Sequence, residues 1–274
     1  MNQKGNKDVE KIHNKDPEVN STASVIPIES KGYKSAVFTP KWVSTKNEKK
    51  CQRSINMALK LGDGCFVSWE GDAGDGKTTI ASYLVSNNDY IYLLGLETYK
   101  RSELPILQSF CRELGRTNPP SRSNDCLLWI VDRLTEHRRV IFLDEIDLIP
   151  QRINLIRQLA ELTGSVFVLI GETGLTEHLI QNKRVWSRTF QSVYFEPIIM
   201  GEIILYGKES AGLVITEEAA KEIHMSPGGK NWRVVKRITM NLVEIANVMK
   251  TRIVTAEMAK QAIDMGLKGK SRKA

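Results

Sequence analysis

No apolar run in the sequence approaches the eighteen residues that a membrane-spanning helix needs, so no membrane partner is expected. The opening stretch, MNQKGNKDVEKIHNKD, lacks the apolar core of a secretory leader. Cysteine is scarce. Cys51, Cys65, Cys111 and Cys126 stand apart with no CxxC pair, which argues against a metal knuckle and for reduced thiols in a cytoplasm. Neither charge sign dominates strongly: the net formal charge is +7, compatible with an acidic polymer as partner without requiring one. Most of that excess falls after Val248, where Lys250, Arg252, Lys260, Lys268, Lys270, Arg272 and Lys273 meet only Glu257 and Asp264. A solvated tail and a phosphate-backbone contact explain that segment equally well. What is present otherwise, 41% hydrophobic and 26% charged residues, is the composition of an ordinary globular protein.

Polar, charge-mixed residues poor in aromatics fill positions 1–35 and predict a flexible arm. Order is expected to begin near KSAVFTPKWV, followed by a helix over NEKKCQRSINMALKLGDG that stops at its glycines. Strand-like runs (GCFVSWE, YIYLLGL, RVIFLDE, SVFVLIGE, SVYFEPI) then alternate with helical ones up to Pro197. Near-continuous apolar strands separated by helices predict an α/β unit over 36–199. Its five-stranded, mainly parallel sheet would be flanked by helices. After Pro197 the strand pattern ends, and 200–274 is expected to be a small all-helical subdomain with a basic tail. Within it Val234, Ile238, Leu242, Ile245 and Met249 mark one helical face.

Gly71-Asp72-Ala73-Gly74-Asp75-Gly76-Lys77-Thr78, followed by Thr79, satisfies every fixed position of G-x-x-x-x-G-K-[ST]. Glycines there let backbone N–H groups turn inward around phosphates. Lys77 is placed to reach the β- and γ-phosphates and the Thr78 hydroxyl to bind Mg2+, while the following helix points its positive end at the anion. A second element lies 67 residues beyond Lys77: the apolar run VIFL leads into Asp144 and Glu145. One carboxylate at a strand end organises the magnesium shell and its neighbour polarises the attacking water. ATP and Mg2+ are the expected ligands, and ATP hydrolysis the expected activity.

The phosphate loop, VIFLDE, a fourth strand ending VLIGETG, the segment WSRTF and a helical tail containing GGKNWRVVKR together resemble the AAA+ ATPases. Within that class the likeness is to the transposition ATPases, the B protein of Mu-type transposing phages and its transposon-borne relatives, over about residues 36–265. The resemblance implies further roles. Arg233 would be a second sensor reaching the γ-phosphate from the lid, and Arg188 a finger completing a neighbour's site, with Arg184 its rival. Thr173 would be the first sensor. Glu172 beside it departs from the family pattern and implies slow or partner-dependent hydrolysis. The polar arm also departs, being too short and too polar for the helix-turn-helix domain of the Mu-type protein.

By the same resemblance, loops facing a central channel carry the DNA contact. Lys100, Arg101, Arg116 and Arg122 are their basic groups, and with only Tyr99 nearby they suit a duplex backbone better than stacked single-strand bases. The implied function is an ATP-dependent regulator of transposition. It would assemble as a ring or helical filament on duplex DNA and recruit or activate a transposase. Alternatives are a helicase-loader or initiator-like ATPase, and a signalling ATPase switch acting on proteins alone.

Overall fold

The computed structural model describes residues 32–93 and 102–268, so the expected arm lies almost wholly outside the described residues. The described residues from Lys34 onward form one compact unit. Five strands make one sheet: β1 (Phe66–Glu70), β2 (Ile91–Leu93), β3 (Val140–Leu143), β4 (Val166–Gly171) and β5 (Thr189–Tyr194). Their order is β2-β3-β4-β1-β5, and every neighbouring pair is parallel. All residues of β1, β3 and β4 are buried, which is why their apolar runs scarcely alternate.

Successive residues of these strands feed two separate cores, as period-two geometry demands. Phe66, Ile141, Leu143, Phe167 and Leu169 pack against α3 (Glu103–Glu113), α4 (Ser123–Glu136) and α5 (Ile153–Thr163). Val67, Trp69, Phe142, Val168 and Ile170 pack on the other face against α1 (Lys46–Leu61) and α2 (Lys77–Asn87). Helix α1 begins where the Thr45 side chain accepts the Glu48 N–H at 3.0 Å and stops at Gly62 with φ +75°, a left-handed cap that glycine adopts without strain. Two short helices that the periodicity did not announce, α6 (Leu175–Gln181) and α7 (Lys183–Trp186), link β4 to β5.

Helices α8 (Met200–Ala211), α9 (Glu217–Met225), α10 (Trp232–Val248) and α11 (Ala256–Lys268) build the second subdomain. It is not all helical: β6 (Val214–Ile215) and β7 (Ile253–Val254) pair in parallel, two residues each, too short to leave a periodic trace. The buried face of α10 also differs from the expected one. Val235 is fully buried and Met249 is 59% exposed, because α10 ends at Val248 and Met249 is only its cap. The segment before α1 crosses into this subdomain. Ala36 and Val43 join its core, and the Asn247 side chain bonds both the N–H (2.6 Å) and the C=O (3.0 Å) of Ala36. Among the described residues no helix is long and apolar enough to cross a membrane.

Candidate nucleotide site

Parallel strands aim their carboxyl ends the same way, and the register of the three central ones brings three loops together there. Glu70 at the end of β1 pairs with Gly171 at the end of β4, and Leu143 of β3 pairs with Leu169 of β4. In open α/β sheets this crevice is where ligands sit. Glu70 itself is buried, and its carboxylate accepts the Thr176 N–H at 2.6 Å, tying the root of the 71–76 loop to the start of α6.

Gly74 (φ +93°) and Gly76 (φ +97°) bend that loop through conformations that L side chains rarely adopt. Asp75 Oδ2 accepts the Asp72 N–H at 2.8 Å, and burial pushes the Asp75 carboxyl above the usual range. Lys77 opens α2 from a buried position. Its Nζ donates to Gly71 O (2.6 Å) and Asp72 O (3.0 Å), while burial lowers its pKa. The Thr78 hydroxyl donates to Asp144 Oδ2 at 2.6 Å, so the two oxygens expected around magnesium already touch. Asp144 Oδ1 accepts the Glu145 N–H at 3.0 Å. Glu145 holds φ +59°, a left-handed conformation costing a non-glycine residue about 1–2 kcal/mol. Such strain concentrates at functional sites, and here it turns an exposed carboxylate out of the strand end.

These groups line a cavity of about 430 Å3, within the range of small-molecule sites. Ala73, Gly74, Gly76, Lys77, Thr78, Thr79, Asp144 and Glu145 form one side, and Arg233 faces them from α10 together with Trp232 and Lys236. Gly71, Asp72 and Asp75 shape the loop from behind rather than lining the cavity. Thr173 turns away from it: its hydroxyl donates to Asp72 Oδ1 at 2.8 Å, and Glu172 lines the cavity instead.

Beside it lies a smaller cavity of about 290 Å3 walled by Pro40, Trp42, Val43, Ile80 and Tyr206, sharing Gly76, Thr79, Trp232 and Lys236 with the first. Sequence reasoning missed this apolar chamber. The trace available was the aromatic and aliphatic content of KSAVFTPKWV, whose side chains the fold brings back beside α2. Trp42 is held there by stacking on Tyr83, centroids 3.8 Å apart and planes 2° from parallel.

Other predicted residues lie elsewhere. The Arg188 carbonyl accepts the Phe66 N–H at 2.9 Å, at the start of β1, whereas the phosphate loop leaves its end. The five residues of β1 lie between them, a rise of about 13 Å from Phe66 to Glu70. The Arg188 side chain is bound to Glu161, Nε to Oε1 at 2.8 Å, and Arg157 shares that oxygen. Hydrogen bonding by Arg157, aided by Arg188, holds the Glu161 carboxyl below its usual range. Arg184 is exposed beyond it. Of the expected DNA contacts, Lys100 and Arg101, with Tyr99, lie outside the described residues. Arg116 folds back over the Trp129 ring (5.2 Å to the centroid) and donates to Asn118 O, whereas Arg122 is exposed at the start of α4.

This geometry has named parallels. Residues 64–179 match the family model of the AAA domain. The match covers β1 to α6, including the phosphate loop, Asp144 and Glu145, and stops short of Arg188 and the helical subdomain. No curated protein matches the sequence. Among solved structures, the ORC2 protein of Aeropyrum pernix in ADPNP–ADP complexes is similar with a TM-score of 0.61 and 15% identity, over 83% of this chain and 69% of that one. The ORC1 protein of the same organism in complex with DNA gives 0.54 and 18%, over 79% of this chain, which spans 63% of ORC1. The RuvB Holliday junction branch migration motor of Thermotoga maritima gives 0.52 and 19%, over 81% and 70%. At these identities the likeness speaks for the fold: an AAA+ core of parallel sheet and helices followed by a mainly helical region.

Proposed function

We propose that the chain binds and hydrolyses ATP, and that it does so as a switch which assembles on duplex DNA. The observation that carries the first half is one cavity holding Lys77, the Thr78–Asp144 contact, Glu145 and, from the other subdomain, Arg233. The Thr78 hydroxyl and the Asp144 carboxylate are hard oxygen donors 2.6 Å apart, a set that fits Mg2+. When bound, the ion would neutralise charge on the transferred phosphoryl group. Lys77 would hold phosphate oxygens, exchanging two loop carbonyls for stronger acceptors. Glu145 would orient water, and the apolar chamber around Trp42 would take the base. Glu172, a carboxylate on the cavity wall, opposes a polyphosphate there and favours slow turnover in the isolated chain.

The DNA half is supported by the net charge and the DNA-bound neighbour, and the finer reading, control of a transposase, by the sequence resemblance. The fold likeness to ORC1 and ORC2 favours a second reading, an initiator-like ATPase. Salt-dependent retention of random-sequence duplex with ATP, lost in Lys77→Ala, is the expected result. Retention by Lys77→Ala equal to that of the parent chain would overturn nucleotide control. Stimulation of a cognate transposase then separates the two readings, since an initiator would leave it unchanged.

A further inference from the structure

The first residues of α10 grip the phosphate loop directly. Asn231 caps α10, its Oδ1 accepting the Arg233 N–H at 2.9 Å. The other end of the same amide, Nδ2, donates to the Ala73 carbonyl at 2.6 Å. The next peptide group follows suit: the Trp232 N–H donates to Gly74 O at 3.1 Å. Two consecutive carbonyls of the phosphate loop are thus held by two consecutive residues of the helical subdomain. Gly74 permits this approach, because a Cβ there would lie 2.4 Å from Asn231 Oδ1. The Trp232 ring packs over Gly76 and edge-on to Tyr206, forming wall in both cavities.

We propose that Asn231 is a positioning residue that latches the helical subdomain to the phosphate loop and sets the rate at which nucleotide leaves. The release half rests on the nucleotide-site reading above. Trp232, Arg233 and Lys236 sit within about one and a half turns of the latch on the same rigid helix. Withdrawing α10 breaks both bonds to the loop and moves all three side chains from the cavity together. A cap alone needs only the Asn231 acceptor, which aspartate and serine supply equally well. The donor to Ala73 is the part that a cap does not explain. Aspartate lacks it, and a carboxylate set against a carbonyl oxygen repels it.

The latch also leaves a mark that needs no ligand. Trp232 is the first residue of α10, and the N–H groups of a helix's first turn have no partner within the helix. Slow exchange of that one amide therefore reports its bond to Gly74. The test is amide exchange of Trp232 in the chain without nucleotide, with dissociation of a fluorescent ADP analogue measured alongside, in the parent chain, Asn231→Asp and Asn231→Ser. Expected in both variants are Trp232 exchange and analogue release about thirtyfold faster, as two hydrogen bonds of ordinary net strength predict. Melting temperatures should fall by about 4–8 °C, the loss of two bonds at about 1 kcal/mol each, and no further, because the cap survives. Unchanged Trp232 exchange in both variants overturns the latch. Faster exchange with unchanged release overturns its control of nucleotide. A parent chain that binds no analogue overturns the nucleotide-site reading and the release half with it, while the Trp232 contrast still decides the latch.

Discussion

Alanine at Gly74 and at Gly76 makes a paired experiment, since both positions hold nearly the same backbone angle, φ +93° and +97°. Each substitution pays the left-handed penalty of an L residue, about 1–2 kcal/mol. They differ in what the new methyl meets. At Gly76 the nearest atom is Trp232 Cδ1 at 3.1 Å, a contact relieved by a shift of a few tenths of an ångström. At Gly74 the methyl meets Oδ1, Nδ2 and Cγ of Asn231 at 2.4, 2.5 and 2.8 Å. That amide cannot swing aside freely, being bonded to Ala73 O and the Arg233 N–H. Displacing it forfeits its bond to Ala73 and the adjacent Trp232–Gly74 bond, about 1 kcal/mol each. Gly74→Ala should therefore cost about 3–4 kcal/mol and Gly76→Ala about 1–2. At about 2–4 °C per kcal/mol for a chain of this size, Gly74→Ala melts about 4–8 °C below Gly76→Ala. Differential scanning calorimetry measures the gap. Melting temperatures within a degree of one another would refute the argument that α10 is seated on this loop.

Three further outcomes follow from the site. Burial raises the Asp75 carboxyl pKa, so the folded chain favours its protonated form; that advantage is complete below the unfolded value of about 4 and is lost as pH rises through the folded one. Asp75→Asn, whose Oδ1 still accepts the Asp72 N–H, should melt above the parent at pH 7, and the difference should close on acidification towards pH 4. Glu145→Gln should keep ATP binding and DNA assembly while slowing hydrolysis at least about a hundredfold, whereas Lys77→Ala loses both binding and assembly; hydrolysis by Glu145→Gln at the parent rate would remove Glu145 from the chemistry. Arg188→Ala should leave nucleotide affinity of the isolated chain unchanged and lower turnover of the DNA-bound assembly about a thousandfold, and an equal loss in the isolated chain would contradict a role towards a neighbour.

Much of this architecture was legible because it is written locally. The strands β1, β3 and β4 are apolar runs bounded by charge or glycine, and G-x-x-x-x-G-K-T places its own helix. What escaped reading depends on residues far apart in the chain. The pairing of β6 with β7 joins two dipeptides 39 residues apart, with no periodicity to betray it. The apolar chamber draws Trp42 and Tyr206 from opposite sides of the phosphate loop in sequence. Asn231 was visible only as one residue of GGKNWRVVKR, because its partner Ala73 lies 158 positions away. Thr173 is a like case: its polar type was legible, whereas its hydrogen bond to the Asp72 carboxylate, 101 positions away, was not.

The position of Arg188 gives the proposed switch its logic. Along β1 the phosphate loop leaves one end and Arg188 bonds the other, so the length of that strand lies between the arginine's backbone and the loop. Arg188 is moreover held at its own end by Glu161, in an exposed ion pair of the kind worth at most about 1 kcal/mol. A phosphate brought by a second chain is a stronger acceptor for the guanidinium than a shared carboxylate, so the pair can yield on contact. The described residues thus gather Lys77, Asp144, Glu145 and Arg233 at one cavity, and Arg188 lies away from it. Under the proposed function hydrolysis waits for a neighbour, and nucleotide occupancy becomes a property of the assembly. The Asn231 latch then acts on the same event from within, delaying release until α10 withdraws.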